Sequence, residues 1–271
     1  MMPLLCFASP KGGVGKTTMA ANVASELARL GHRVIALDLD HQNTLGLHFG
    51  MKLRDGRGFM SAVLNGADPA AAWHASLRPV RPNLSYIPHG RVGMHEALRI
   101  ASLLTTAHDA LFAPLRQALA EHSTIVVADL PPGTSPVLAA VMNLTTLLVA
   151  VLLVDGPSVA QIPAIEGGLT YASDSTDGLA LNRVAFVLNQ MDVRTRLGRA
   201  AGDAASRHLG SRLLGMVYRD ENVREAAAAQ RLLLDYAPAS KAAADITVVA
   251  RHIIQRMSEL GDLLVPEQAA Q

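Results

Sequence analysis

The feature that most constrains this chain is a glycine-rich stretch near its amino end, which reads Ser9-Pro10-Lys11-Gly12-Gly13-Val14-Gly15-Lys16-Thr17-Thr18. An apolar run, Leu4–Ala8, precedes the stretch, and residues 17–30 after it show the apolar spacing of a helix. A strand, a glycine-rich turn and a helix in this order are typical of a phosphate-binding loop, because glycines let successive backbone N–H groups point at one anion. The positive end of the helix dipole adds to the attraction.

The residue types of this loop predict a role for each position. The Lys16 ammonium is expected to contact the β- and γ-phosphates of a nucleotide, and the Thr17 hydroxyl is expected to bind Mg²⁺. The other predicted nucleotide contacts are Gly12, Gly13, Val14, Gly15 and Thr18. A chance glycine-rich turn is the alternative, but the strand, the spacing, both lysines and both threonines agree with a phosphate loop.

The loop departs from the common G-x-x-x-x-G-K-[ST] pattern, because Pro10 stands at its first place and Lys11 follows at once. The string K-G-G-x-G-K-T-T resembles the deviant Walker A motif of the MinD/ParA ATPases. This resemblance implies a homodimer in the ATP state, in which Lys11 reaches the phosphates bound by the partner subunit. Lys11 would act as an arginine finger does, by bringing a cation to the charge that develops on the transferred phosphoryl group.

Apolar strands alternate with helical segments along all 271 residues. Strands are predicted at residues 4–8, 33–38, 84–87, 124–129, 147–154, 183–189 and 212–217. This alternation predicts a parallel sheet, and a composition that is 50% hydrophobic but 4% aromatic suits a sheet covered by helices. We therefore predict an α/β fold with a mostly parallel twisted sheet flanked by helices on both faces. A single domain is expected over residues 1–271, with a frayed tail from about residue 265.

Helical spacing extends the prediction to the segments between the strands. Helices are predicted at residues 17–30, 95–120, 158–171, 195–209, 221–230 and 242–264, with a bend at Pro114. Residues 78–83 are basic and contain two prolines, and we predict a connector there. In the last helix, an apolar stripe that includes Ile246, Val249 and Ile253 is expected to face the core. A membrane-surface helix is the alternative interpretation, but acidic residues offset its few arginines.

Three carboxylates follow predicted strands and are candidate magnesium-site residues. Asp129 ends an apolar strand, as a Walker B aspartate does, and the D-x-P-P-G string resembles the switch II segment of the family, with Gly133 placed to sense the γ-phosphate. Asp38 and Asp40 resemble switch I, which implies that Asp38 supports the Mg²⁺ shell and that Asp40 orients the attacking water. An ordinary strand-end aspartate and a solvated turn carboxylate are the alternatives. One departure from the partition ATPases is His41, where they usually carry proline.

Base recognition is predicted at Asn189, which ends another strand. The resemblance implies that Asn189 hydrogen-bonds the adenine edge, whereas a guanine-reading N-K-x-D string is the competing interpretation. Gln190 replaces the lysine of that string, so we favour ATP, together with Mg²⁺. Tyr218 and Asp220 lie where the family covers the base from its other side, and a plain loop is the alternative.

Charge and cysteine content exclude several other classes of protein. The net charge of +1 gives no general argument for nucleic-acid binding, although Arg194, Arg196, Arg199, Arg207 and Arg212 form a cluster that a DNA-binding role would use.

The single cysteine, Cys6, is expected to be a buried small hydrophobe, and one cysteine excludes an iron–sulfur site within one chain. None of the ten histidines belongs to a metal-ligand pattern. The first residues lack a signal peptide, and no apolar run is long enough to span a bilayer, so we expect a cytoplasmic protein. Peripheral association with the inner membrane is compatible with this expectation.

A finer resemblance lies outside the nucleotide motifs. Four stretches look similar to the BcsQ family, the MinD-like ATPases of bacterial cellulose-secretion operons: residues 43–50, 55–59, 84–90 and 218–223. The resemblance implies an ATPase that acts slowly, as a switch, and recruits accessory proteins of the cellulose synthase complex. A DNA-partition ATPase and a MinD-like membrane-positioning ATPase are the alternatives.

Overall fold

The computed structural model describes residues 3–52, 55–120, 124–167 and 181–261. Within these residues eight strands form one sheet in the order β3-β4-β2-β5-β1-β6-β7-β8. The strands are β1 (Leu4–Ala8), β2 (Arg33–Asp38), β3 (Arg78–Arg81), β4 (Leu84–Ile87), β5 (Thr124–Asp129), β6 (Leu147–Leu153), β7 (Val184–Met191) and β8 (Leu213–Tyr218). All neighbouring strands are parallel except β3 and β4. The predicted α/β fold with a mostly parallel sheet is confirmed.

Helices cover both faces of this sheet. They are α1 (Lys16–Arg29), α2 (Phe59–Leu64), α3 (Pro69–Ser76), α4 (Met94–Thr106), α5 (His108–Leu111), α6 (Ala113–Ala120), α7 (Pro136–Val141), α8 (Gly156–Val159), α9 (Ile162–Glu166), α10 (Arg196–Leu209), α11 (Asn222–Ala228), α12 (Leu233–Tyr236) and α13 (Lys241–Glu259). Short 3₁₀ turns occupy Leu45–Phe49, Met142–Leu144, Leu181–Arg183 and Gly210–Arg212. Helices α1 and α11 to α13 pack on one core, and α2 to α10 pack on the other.

The two cores follow from the alternation of side chains along the strands. In β1, Leu5 and Phe7 belong to the core under α1, whereas Leu4, Cys6 and Ala8 belong to the opposite core. Because both faces are covered, all five residues are buried, as the continuous apolar strands predict. Cys6 is fully buried, as expected, and its Sγ lies 3.3 Å from Thr145 Oγ1.

Helix ends follow local signals in the sequence. Gly31, predicted to follow the first helix, adopts a left-handed φ of 93° there. Thr195 caps α10 by accepting a hydrogen bond from Gly198 N–H, and Ser240 caps α13 in the same way with Ala243 N–H. The apolar stripe of α13 is buried in the core under α1, which confirms the core-facing interpretation. In the described part of the chain, no helix is both long and apolar enough to cross a membrane.

Three expectations need correction, and prolines account for two of them. The predicted connector at 78–83 contains the strand β3, which pairs antiparallel with β4 and shifts register between Pro79 and Arg81. A strand at the sheet edge tolerates proline because only one side of it carries ladder hydrogen bonds. The predicted helix at 95–120 is three helices, and Pro114 lies in the first turn of the third. Within residues 158–167 the predicted helix is the end of α8 and α9; the remainder to residue 171, and residues 262–271, lie outside the described residues.

Candidate nucleotide-binding site

The glycine-rich loop runs from the end of β1 to the start of α1, at the carboxyl edge of the sheet. Gly13 and Gly15 have positive φ values of 76° and 88°, which favour glycine because side chains with a Cβ rarely adopt them. Gly133 follows β5 and donates its N–H to the carbonyl of Ser9 at 2.7 Å. The predicted γ-phosphate sensor therefore lies against the loop that would hold the phosphates.

Asp129 connects the two key side chains of the loop. One carboxylate oxygen, Oδ1, is 2.5 Å from Lys16 Nζ, and the other, Oδ2, accepts a hydrogen bond from the Thr17 hydroxyl at 2.7 Å. The Lys16 and Asp129 side chains are buried. The Walker B carboxylate predicted from the sequence is therefore in direct contact with the predicted phosphate and magnesium ligands.

Asp38 holds the next turn of the chain in a closed loop. Its Oδ1 accepts a hydrogen bond from Asp40 N–H, and its Oδ2 accepts one from Leu45 N–H, each at 3.0 Å. Asn43, with a left-handed φ of 51°, accepts a hydrogen bond from Gly90 N–H through its side chain. The loop is therefore fixed both to itself and to the turn that follows β4.

Asp40 is carried by this closed loop towards the phosphate-binding lysine. Its Oδ2 is 3.8 Å from Lys16 Nζ, and its Oδ1 accepts a hydrogen bond from Gln42 N–H. Only 4% of the residue is exposed. The structure therefore places Asp40 and Asp129 beside Lys16, with Asp38 next to both carboxylates.

The electrostatics of this cluster fit a bound divalent cation. Three buried carboxyl groups share one buried ammonium group, and only Asp40 and Asp129 lie within 4 Å of it. Burial and the neighbouring charge of Asp129 raise the pKa of Asp38 well above its usual range, and burial also raises the pKa of Asp129 against the opposing effect of Lys16. Across the described ranges no group of three His, Cys, Asp or Glu side chains converges as a direct metal site. If Mg²⁺ binds here, the Thr17 hydroxyl would hold it, with phosphate oxygens and water completing its shell.

Lys11, the second lysine of the loop, has a partner of its own. Its Nζ lies 2.9 Å from Asp155 Oδ2, and the two side chains are 39% and 36% exposed. Asp155 follows β6 and caps α8 by accepting a hydrogen bond from Ser158 N–H. Lys11 is therefore held at the rim of the site, apart from the buried cluster around Lys16.

A cavity of about 190 Å³ opens beside the loop, and its walls include all three predicted base-binding residues: Asn189, Tyr218 and Asp220. The Asn189 side chain donates a hydrogen bond from Nδ2 to the Val14 carbonyl at 2.7 Å, which joins β7 to the loop. Gly15 and Thr18 also line the cavity, so it adjoins the predicted phosphate site. The size and position of the cavity fit the base of a nucleotide.

The contacts of Asp220 point to a supporting role in the wall of this cavity. Its carboxylate accepts hydrogen bonds from the backbone and side chain of Asn222 and from Ala242 N–H. Tyr218 packs under the ammonium group of Lys241, which lies 4.9 Å from the ring centroid. The sequence prediction located both residues at the cavity, but hydrogen bonds within the protein already occupy the Asp220 oxygens.

The geometry around Asn189 also favours adenine over guanine. Asp192, the residue that would read guanine in the competing interpretation, is held by the Arg194 guanidinium at 2.7 Å. Asp192 lines a neighbouring cavity and is absent from the walls of the one beside Gly15. Neither the lysine nor the free carboxylate of a guanine-reading string is therefore present here.

Two residues near the site were missed in the sequence. Asp155 follows the apolar strand β6, a neighbour of β1, and a carboxylate at the end of an apolar strand is also the signal that identified Asp129. His48 lies on the 3₁₀ turn after the Asp38 loop, with Nε2 3.4 Å from the Thr18 hydroxyl. Burial lowers the pKa of His48 to about 4. No sequence signal marks His48, since a lone histidine between apolar residues has no motif.

The arginine cluster that a DNA-binding role would use is partly neutralised. Arg194 pairs with Asp192, and Arg212 pairs with Glu166 at 2.5 Å. Arg199 donates a hydrogen bond to the Val193 carbonyl. Two of the five charges therefore face carboxylates of the same chain.

The fold and the site define a P-loop ATPase of the MinD/ParA class. The sequence model of the family described as "Cellulose biosynthesis protein BcsQ" matches residues 2–254, and the chain belongs to that family. The chromosome-partitioning ATPase Soj of Thermus thermophilus is 29% identical over 94% of this chain and 96% of its own length. The cell division protein PomZ of Myxococcus xanthus is 26% identical, over 93% of this chain and 77% of its own.

Solved structures agree with this classification at the level of the fold. The cell division ATPase MinD of Pyrococcus furiosus superimposes with a TM-score of 0.73 and 23% identity, over 94% of this chain and 99% of its own. MinD of Pyrococcus horikoshii, solved with Mg-ADP, gives a TM-score of 0.74 and 20% identity, over 97% of this chain and 100% of its own.

Proposed function

We propose that this protein is an ATP-driven dimerising switch that positions partner proteins, and that it does so in bacterial cellulose synthesis and secretion. The observation that best supports a dimerising switch is that the two lysines of the phosphate loop lie in different environments. Lys16 is buried among the carboxylates of its own subunit, whereas Lys11 is held at an exposed rim. A cation in that position is suited to the phosphates of a second subunit.

Nucleotide binding would use the residues of the loop. Backbone N–H groups of residues 12–18 surround the phosphates, and the Lys16 ammonium exchanges its contact with Asp129 for phosphate oxygens. Mg²⁺, when bound by Thr17, supplies positive charge to the β- and γ-phosphate oxygens. Asn189 contacts the adenine edge, and Tyr218 lies against the base.

Hydrolysis would depend on Asp40. Its carboxylate lies next to Lys16 and orients a water molecule toward the γ-phosphorus. As the new P–O bond forms, the bond from phosphorus to the β–γ bridging oxygen breaks, giving ADP and inorganic phosphate. Lys11 of the facing subunit stabilises the charge on the transferred group. Loss of the γ-phosphate removes these contacts, and the dimer separates.

Support for a role in cellulose synthesis comes from the family to which the chain belongs. The relatives named above are a chromosome-partitioning ATPase and a cell division protein, and both names are compatible with a protein that positions other components. We therefore propose accessory proteins of the cellulose synthase complex as the partners, with ATP as the signal for recruitment.

Light scattering on the full chain with and without ATP·Mg²⁺ tests the switch. The wild-type chain should double in mass with ATP, whereas Lys11→Ala should bind ATP but remain a monomer. Lys52→Ala, which removes an exposed lysine away from the loop, serves as the matched control and should dimerise normally. Persistent ATP-dependent dimers of Lys11→Ala would contradict the role of this lysine across the interface.

A further inference from the structure

A second cavity adjoins the Asp40 loop, and it shares no wall residue with the cavity beside Gly15. It encloses about 280 Å³ between the segment of Leu39 and His41, the turn at His89, the proline-rich segment after Asp129, and α4. This volume lies just under the roughly 300 Å³ at which small-molecule sites begin. The cavity therefore suits one large side chain better than a nucleotide.

Apolar groups make up most of its wall. The side chains of Leu39, Ile100, Leu104 and Val137 are buried around it, and three prolines complete it: Pro131, Pro132 and Pro136. Burial of an aromatic ring against such a surface is favourable in proportion to the apolar area removed from water.

His89 is the one deeply buried polar side chain in this wall, since the others, His41, Thr134 and Ser135, are exposed or half-buried. His89 is 1% exposed, and its Nδ1 lies 2.8 Å from the Gly90 carbonyl oxygen. Because a carbonyl only accepts hydrogen bonds, Nδ1 carries the ring proton, and Nε2 of the neutral ring is an acceptor. Burial lowers the pKa of His89, which keeps the ring neutral. Within the described residues Nε2 has no hydrogen-bond partner.

The cavity continues into an exposed apolar stripe on α4. Met94, Ala97, Leu98 and Ala101 recur at the spacing of one helix face. Ala97 and Ala101 line the cavity, whereas Met94 and Leu98 are 81% and 65% exposed. An apolar surface that extends beyond the cavity mouth indicates a ligand longer than one ring, which is a segment of polypeptide.

We propose that this cavity is the docking site for a tryptophan side chain of a partner protein, whose indole N–H donates to Nε2 of His89. Tryptophan fits because it is a large apolar ring with a single donor and no acceptor. It is also the residue type that most often anchors interfaces. Flanking apolar residues of the same segment pack on Met94 and Leu98. The use of this contact in recruitment rests on the proposed function, but binding of the indole does not.

Solution NMR on the full-length chain without nucleotide tests the site, with N-acetyl-L-tryptophanamide as the probe and its 1-methylindole analogue as the control ligand. The expected result is a shift of the Ala97 and Ala101 amides and of His89 Nε2. The methylated analogue should bind about threefold to tenfold more weakly, because it cannot donate to Nε2. Equal affinity of the two ligands, or shifts elsewhere only, would overturn the proposal.

Two variants of α4 locate the binding. Ala101→Trp fills the cavity from within and should abolish binding of the probe, whereas Ser102→Trp adds the same ring to the exposed face and should retain it. Equal binding by both variants would contradict the site. Loss of the ATP-dependent dimer in Ala101→Trp would assign the cavity to the dimer interface and overturn the partner proposal. Calorimetric titration with ATP, run in parallel, reports separately on the nucleotide site.

Discussion

Lys11 and Asp155 form an ion pair within one subunit, with Nζ 2.9 Å from Oδ2. The pair joins the loop after β1 to the segment after β6, its neighbour in the sheet. If Lys11 serves the facing subunit, this contact must break when two subunits meet. The ion pair therefore opposes dimerisation, and its strength helps to set the ATP concentration at which dimers form.

Asp155→Asn should favour the dimer. The amide keeps an oxygen to cap α8 but loses the charge that holds Lys11. Half-exposed ion pairs contribute about 0 to 1 kcal/mol each, and one breaks in each subunit of a dimer, so the protein concentration for half-maximal ATP-dependent dimerisation should fall by up to about thirtyfold. Analytical ultracentrifugation measures it, and Glu259→Gln, which disrupts an ion pair with Arg256 elsewhere, is the control. A weaker dimer in Asp155→Asn would argue that the carboxylate supports the interface.

Lys16→Ala should eliminate ATP binding, because this ammonium is the buried cation of the phosphate site. The change also leaves the Asp129 carboxylate buried without its cation, and breaking such a pair costs about 3–5 kcal/mol. Calorimetric titration with ATP and thermal unfolding test both effects, with Lys52→Ala as the control lysine. Normal ATP affinity in Lys16→Ala would refute the assignment of the phosphate loop.

Asp40→Ala should separate binding from hydrolysis. The variant keeps Lys16, Thr17 and Asp129, so it should bind ATP and dimerise, but it lacks the carboxylate that orients water. Phosphate release should fall at least about tenfold, and the ATP dimer should persist for longer in light scattering. Asp203→Ala, an exposed carboxylate on α10, should behave as wild type. Unchanged turnover would remove Asp40 from the mechanism.

The buried His48 is expected to contribute to the loss of folding stability at acid pH. Its pKa is lowered from 6.5 to about 4 in the folded chain by burial, so the unfolded chain binds a proton over this range that the folded chain does not. The contribution of neutral His48 to the free energy of unfolding is therefore fully present above about pH 6.5 and is lost as the pH falls toward 4. Between pH 7 and 5, wild type should lose about 1 to 2 kcal/mol more than His48→Gln in urea unfolding. Exposed His95→Gln should follow wild type, and equal losses in all three proteins would exclude His48.

The phosphate loop was predictable because its chemistry is local. Strand, glycines, lysine and threonine follow one another in sequence, and the structure keeps that order. Asp129 was predictable for a similar reason, since a parallel sheet collects the ends of its apolar strands at one edge.

Contacts between residues that lie far apart in the sequence could not be predicted in the same way. Asp155 lies 144 positions from Lys11, and no motif connects them. The strand β3 was missed because its prolines argue against a ladder position, while the edge location that permits them depends on the whole sheet. The cavity at His89 combines segments around residues 39, 89, 100 and 131, which only the folded chain brings together.

The loop between Asp38 and Leu45 has one further consequence. Hydrogen bonds among the chain's own residues close it at both ends and tie Asn43 to Gly90. A segment so restrained has little conformational entropy left to lose. Binding of the γ-phosphate then does not have to order this segment. More of the free energy of γ-phosphate binding is therefore available to stabilise the dimer. We therefore expect each subunit to be preorganised for dimerisation. The fraction of dimer should then depend on the concentration of the protein as much as on that of ATP.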